Sequence, residues 1–96
     1  MKPPLVSIGV PFFNNEKSIE SLIESLLNQN FENIEIILSD NCSTDKSVEK
    51  IDKFLNNKKI TYFRNERNFG SIYNHNLLLD HAKGKYFMWA DRKSTR

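Results

Sequence analysis

The chain is poor in cysteine, glycine and proline, and each shortage narrows what it can be. A single cysteine, Cys42, among 96 residues excludes an internal disulfide and suits a reducing compartment, so a cytoplasmic location is expected. The three glycines, Gly9, Gly70 and Gly84, fall too far apart for a GxGxxG or GxxxxGK[ST] phosphate cradle. No apolar run approaches the roughly 20 residues of a membrane span, and the N-terminus does not read as a basic-then-apolar signal segment. A basic surface is missing too. The net charge is +2, but Arg92, Lys93 and Arg96 supply three of the 14 basic residues, leaving eleven against 12 acidic groups elsewhere. Nucleic-acid binders carry a basic stripe interleaved with aromatics, so nucleic acid is not an expected partner.

What remains is an ordinary globular composition, 39% hydrophobic and 27% charged, in a length suited to one small domain. Two hydrophobic periods alternate along it. Leu5 to Val10, Ile34 to Leu38, Ile60 to Phe63 and Tyr86 to Ala90 are short runs that read as strands. Between them come three helical stripes. Ile19, Leu22, Ile23, Leu26 and Leu27 form the first, capped by Asn14 or Asn15. Val48, Ile51, Phe54 and Leu55 form the second, opened by Ser43 or Thr44 with Asp45 in its first turn. Ile72, His75, Asn76, Leu79 and Ala82 mark the inner face of the third, capped by Ser71 and ended by Gly84. The expectation is α/β: a parallel β-α-β-α-β-α-β three-layer sandwich with right-handed crossovers.

Ligands of such sheets bind beyond the carboxyl ends of the strands. Those ends carry Pro11-Phe12-Phe13-Asn14, Asp40-Asn41-Cys42-Ser43, Arg64 to Gly70, and Asp91, whereas the helix-to-strand turns are plain. Asp40 is either a turn aspartate or an acceptor for a base N–H or ribose hydroxyl. Phe12 and Phe13 either cover the sheet edge or offer a ring to stack on a planar base. Cys42 has no histidine at a spacing that would make it a nucleophile.

Five ordered stretches carry a resemblance. Val6-Ser7-Ile8-Gly9-Val10-Pro11-Phe12-Phe13-Asn14 is similar to "VSVIIPTYN", and Ser25-Leu26-Leu27-Asn28-Gln29 to "SLLNQ". Glu35 to Asp45 is similar to "EIIVVDDGSTD", Asn68-Phe69-Gly70 followed by Asn76 to "NxG…N", and Ala82-Lys83-Gly84-Lys85-Tyr86 to "AKGEY". Over residues 5 to 91 the chain resembles the N-terminal half of a family 2 glycosyltransferase, the large inverting group with the GT-A fold.

The resemblance implies a partner, a nucleotide-diphosphate sugar with UDP as the expected nucleotide, and an activity, inverting transfer to a hydroxyl. Family members often build cell-surface polysaccharides. Pro11, Phe13 and Asn14 would sit beside the base, with Phe12 adjoining them, and Asp40 would contact uracil or ribose. Asn41 stands where a second aspartate is usual, weakening one polar contact. Asn68, Gly70 and Asn76 would shape the loop and helix over the nucleotide. Asp91 would open the DxD motif that holds Mg²⁺ or Mn²⁺ on the diphosphate. Here that motif reads Asp91-Arg92-Lys93, and a lysine cannot ligate a hard cation that wants oxygen donors. The expected layout is a nucleotide-sugar-binding half over 1–91 and a basic tail over 92–96 without family counterpart. Lacking the catalytic base and the second metal ligand, these residues are expected to be inactive alone. The rival expectations are a nucleotide- or partner-binding module without catalysis, and a fragment whose Tyr86-to-Trp89 edge pairs with a second copy.

Overall fold

The computed structural model describes residues 4–28 and 33–90. The elements run β1 (Val6–Phe12), α1 (Ile19–Leu27), β2 (Ile34–Asp40), α2 (Ser47–Ile51) with a 3₁₀ turn at Asp52–Phe54, β3 (Ile60–Arg64), α3 (Ser71–His81) and β4 (Tyr86–Trp89). The expected α/β alternation is what forms, and all pairings are parallel. The strand order is β3-β2-β1-β4. The chain therefore builds outward from β1 in one direction and then returns to its other side, so the order switches between β1 and β4. That switch point is where a parallel sheet opens a crevice.

β1 runs past Pro11 to Phe12, two residues beyond the expected end. Residues of a parallel strand turn alternately to their two neighbours. The Gly9 carbonyl accepts from Ala90 N–H on the β4 side, and the Phe12 carbonyl accepts from Asn41 N–H on the β2 side. Pro11 thus faces the β4 side, beyond the last β1–β4 pair, Gly9↔Trp89. Its missing N–H deprives no partner.

The two faces of the sheet differ. Ile8, Val10, Phe12, Ile34, Ile36, Leu38 and Ile60 pack against Ile19, Ile23 and Leu26 of α1 and Ile51 and Phe54 of the second helical segment. The alternate residues of β1 and β2 face α3, and apart from the buried Pro11 and Ile37 they are small or polar: Ser7, Gly9, Glu35, Ser39. Here the approach is close. A Cβ at Gly84 would lie 2.6 Å from Ser7 N and 2.8 Å from the Val6 carbonyl carbon. Gly84 N–H donates to Ser7 Oγ at 2.7 Å, and Ser7 Oγ and Lys83 N–H both donate to Glu35 Oε2. Gly84 was expected to stop α3. Instead α3 ends at His81 with Ala82 extended after it, and Gly84 is required by backbone contact.

Three further expectations shift. α3 buries Asn74 (2% exposed) and Leu78, while Ile72 is 78% exposed and Leu79 and Asn76 also face solvent. The apolar spacing misidentified the inner face because the sheet opposite α3 asks for a hydrogen-bonding partner. Gly70, with φ 93°, takes the cap position expected of Ser71. The other two helices start later than expected. α1 begins after Asn15, whose carbonyl accepts from Ser18 and Ile19 N–H. α2 begins at Ser47, and Asp45 Oδ1 accepts the Ser47 N–H at 2.9 Å.

Candidate nucleotide-sugar site

The carboxyl ends of β1, β2 and β3 converge on an amide network. Ser39, the penultimate residue of β2, donates its hydroxyl to Asn74 Oδ1 at 2.5 Å, and Asn74 Nδ2 returns a bond to the Ser39 carbonyl at 3.0 Å. Asn65, just after β3, donates through Nδ2 to Asn74 Oδ1 (3.2 Å) and to Asn41 Oδ1 (2.9 Å). Asn41 Nδ2 then donates to Asn68 Oδ1 at 2.8 Å and to the Gly70 carbonyl at 3.2 Å. Among the described residues, no buried side-chain nitrogen or oxygen lacks a partner, as buried polar groups require.

Asp40 is fully buried. Its Oδ1 accepts from Ser43 N–H at 2.8 Å, the turn role, and its Oδ2 accepts from the Tyr62 hydroxyl at 3.0 Å. Burial first, then the Asp40 charge and hydrogen bond, push the Tyr62 phenol well above its ordinary pKa. Arg64 lies 3.9 Å from Asp40 Oδ2 and donates to the Ser43 carbonyl at 2.8 Å. Its guanidinium is pushed further up by a hydrogen bond to Cys42, against desolvation, and by Asp40. Asn14 has φ 52°, and its Oδ1 accepts from Thr44 and Asp45 N–H at 2.8 and 3.2 Å. It locks the β1 loop to the β2 loop.

Beside this network, at the switch point, lies a cleft of about 120 Å³ lined by Pro11, Phe12, Phe13, Asn41, Asn74 and His75. The expected residues divide accordingly. Pro11 and Phe12 are buried, the Phe12 side chain belonging to the core, whereas Phe13 is 41% exposed and presents its ring. Asn41 is buried, Asn68 and Gly70 lie on the exposed 65–70 loop, and Asn76 is exposed on α3. Asp91, the expected metal ligand, and the 92–96 tail lie outside the described residues. Sequence reasoning missed Asn74, Asn65 and Tyr62. Asn74 is two positions from the expected Asn76, and a polar residue at the helical step before Leu78 was the available signal.

The described residues do not fit a divalent cation. No group of three or more His, Cys, Asp or Glu side chains converges among them, and the Asp40 carboxylate is consumed by Ser43, Tyr62 and Arg64. Nor is any described helix long and apolar enough to cross a membrane.

The family model described as Glycosyl transferase family 2 matches residues 7–92. An uncharacterised glycosyltransferase of Haemophilus influenzae is 39% identical over 92 residues, 95% of this chain and 37% of the relative. The crystal structure of residues 1–349 of TarS from Staphylococcus aureus, in complex with UDP-GlcNAc, superposes with a TM-score of 0.84 at 31% identity. That match covers 91% of this chain and 26% of that one. The mannosyltransferase PcManGT of Pyrobaculum calidifontis, in complex with GDP-Man and Mn²⁺, gives 0.83 at 22% identity, over 95% and 28% of the two chains. This chain therefore spans about a quarter to a third of the length of these proteins.

Proposed function

This chain belongs to glycosyl transferase family 2 and has the parallel α/β core of GT-A enzymes, and from that premise we propose that it binds the nucleotide part of a UDP-sugar at the β1–β4 switch point. The observation that carries the reading is the cleft against Pro11, Phe13 and Asn41, open at the carboxyl ends of the strands. The 31% identity to a chain crystallised with UDP-GlcNAc supports the choice of nucleotide.

In this reading the exposed Phe13 ring stacks on the base, a contact any planar base accepts. The 65–70 loop, with Asn68 and Gly70, covers the ribose. Asp40 acts from beneath by fixing Ser43 and Tyr62, and Asn14 by fixing the 43–45 backbone. Asn76 belongs to the helix over the nucleotide, and Asp91, by its place in the motif, would serve the ribose and diphosphate. The cleft, about 120 Å³, is smaller than the roughly 300 Å³ at which small-molecule sites begin, so it encloses part of a nucleotide sugar. Transfer, with inversion, to a hydroxyl belongs to the complete transferase. The 96 residues alone bind without transferring, and Lys93 in the second acidic position leaves binding independent of Mg²⁺. A cytoplasmic location accords with the single cysteine.

One observation favours a second reading, a nucleotide- or partner-binding module: the carboxylate at the end of β2 is spent on internal bonds. The test is an amide proton–nitrogen NMR titration of the 96-residue chain with UDP, with and without Mg²⁺, alongside an assay for sugar release from UDP-GlcNAc. Shifts at Phe13, Asn41 and Phe69 that ignore Mg²⁺, without sugar release, are expected. A spectrum unmoved by millimolar UDP overturns the nucleotide reading, and measurable transfer overturns the inactivity.

A further inference from the structure

Asn41 is used at every corner of its carboxamide. Its Oδ1 accepts from Asn65 Nδ2 at 2.9 Å and from Phe69 N–H at 3.0 Å. Its Nδ2 donates to Asn68 Oδ1 at 2.8 Å and to the Gly70 carbonyl at 3.2 Å. Two donations and two acceptances exhaust what a primary amide offers. The residue is 4% exposed, so little of it remains for a ligand. Three of the four groups it holds, from Asn68, Phe69 and Gly70, define the loop crest. Asn68 Oδ1 also accepts Gly70 N–H at 2.8 Å, and the Gly70 carbonyl also accepts Asn74 N–H as α3 begins.

We infer that Asn41 is a positioning residue: its amide latches the 65–70 loop in place before any ligand arrives, and so sets the wall of the nucleotide cleft rather than touching the nucleotide. An aspartate at this position would keep both acceptances but lose both donations. It would also set a carboxylate oxygen against the Asn68 and Gly70 oxygens, a repulsive contact in a buried place. The expected weakening of a ligand contact by the Asp-to-Asn difference is thereby replaced with a gain in loop order. Being a latch, Asn41 acts through Asn68, and this separates it from a contact residue.

The inference rests on the nucleotide reading only for its consequence, so the test has two readouts. Amide hydrogen exchange is measured without ligand on the 96-residue chain, on Asn41→Asp, on Asn68→Ala and on the double variant. UDP affinity is then measured on all four. Each single variant is expected to speed exchange at Phe69 roughly tenfold and weaken UDP by about as much, as loss of one or two buried hydrogen bonds would. Val10 and Leu38 amides stay protected, and the double variant is no worse than the worse single, because coupled residues are not additive. Unchanged exchange at Phe69 overturns the latch, as do additive losses of affinity. Faster exchange with no UDP binding even by the parent chain upholds the latch and rejects the nucleotide reading. Should Asn41→Asp fail to fold, Asn68→Ala, altering only an exposed side chain, decides by the Phe69 signal alone.

Discussion

The two faces of this small sheet are held by different physics. Under α1 and α2, branched aliphatic side chains interlock, and Ile36, Leu38, Ile19, Ile23 and Ile51 are excluded from water almost entirely. Under α3 the strands offer Ser7, Gly9, Glu35 and Ser39 around a single branched residue, Ile37, and directed hydrogen bonds and backbone proximity add to the burial of Ile37 and Leu78. The aliphatic face tolerates small changes in outline because burial is non-directional. The polar face tolerates almost none, since each donor has one partner at one distance. It is the polar face that reaches the cleft.

Breaking the aliphatic face gives the largest loss. Ile36→Ala removes a fully buried side chain and is expected to cost about 2–5 kcal/mol, read by urea denaturation. On the opposite face Gly84→Ala adds one methyl where backbone atoms stand within 2.8 Å. The strand and turn cannot yield as a flexible side chain would, and a loss of about 1–3 kcal/mol is expected. Asn74→Leu sharpens the contrast. It leaves the Ser39 hydroxyl and Asn65 amide short of a partner, for about 1–3 kcal/mol, whereas Asn76→Leu, two residues on and exposed, stays within about 0.5 kcal/mol. Reversed values for the two asparagines would put the wrong side of α3 against the sheet.

The smallest effect lies at the rim of the aliphatic face. Desolvation pushes the Asp45 carboxyl up, but bonds from Ser47 and from Glu16 N–H outweigh it and hold it below the usual carboxylate range. A carboxyl depressed on folding stabilises the native state above its unfolded pKa and loses that contribution as pH falls through the folded value. Asp45→Asn is therefore expected to be slightly less stable than the parent at neutral pH, and the two to converge in acid. Parallel acid limbs in thermal melts would show that the carboxylate contributes nothing.

Hydrophobic periodicity made one of these faces legible and concealed the other. Ile19, Ile23 and Leu26 declared the inner side of α1, and the four strands were visible as runs. The strand order was not legible, since nothing in a run of Val and Ile says which neighbour it will take. α3 was misread because Ile72 and Leu79 are apolar yet exposed, while the residues that dock are Asn74 and Leu78, only one of them apolar. At the site, the resemblance drew attention to Asn41 and Asn68 together. Their bond, and the spending of Asp40 on Tyr62 and Ser43, appear only once the loops are in three dimensions.

The β1–β4 register has a consequence for the order in which the molecule assembles. Val6 pairs with Tyr86, the two lying at opposite ends of the described chain, so the strand made first acquires its second neighbour last. Pairings between such distant residues form slowly because the intervening chain must already be ordered. β1, β2 and β3 can meet through short crossovers while Ser7 and Gly9 still wait for the Gly84 turn and Phe87. Pulse-labelled hydrogen exchange during refolding should therefore protect Leu38 before Ala90, whose amide bonds to Gly9. Simultaneous protection would mean that β4 docks with the nucleus. On a ribosome the same geometry makes closure of the polar face later than that of the aliphatic face, so the cleft is completed only after its aliphatic foundation has set.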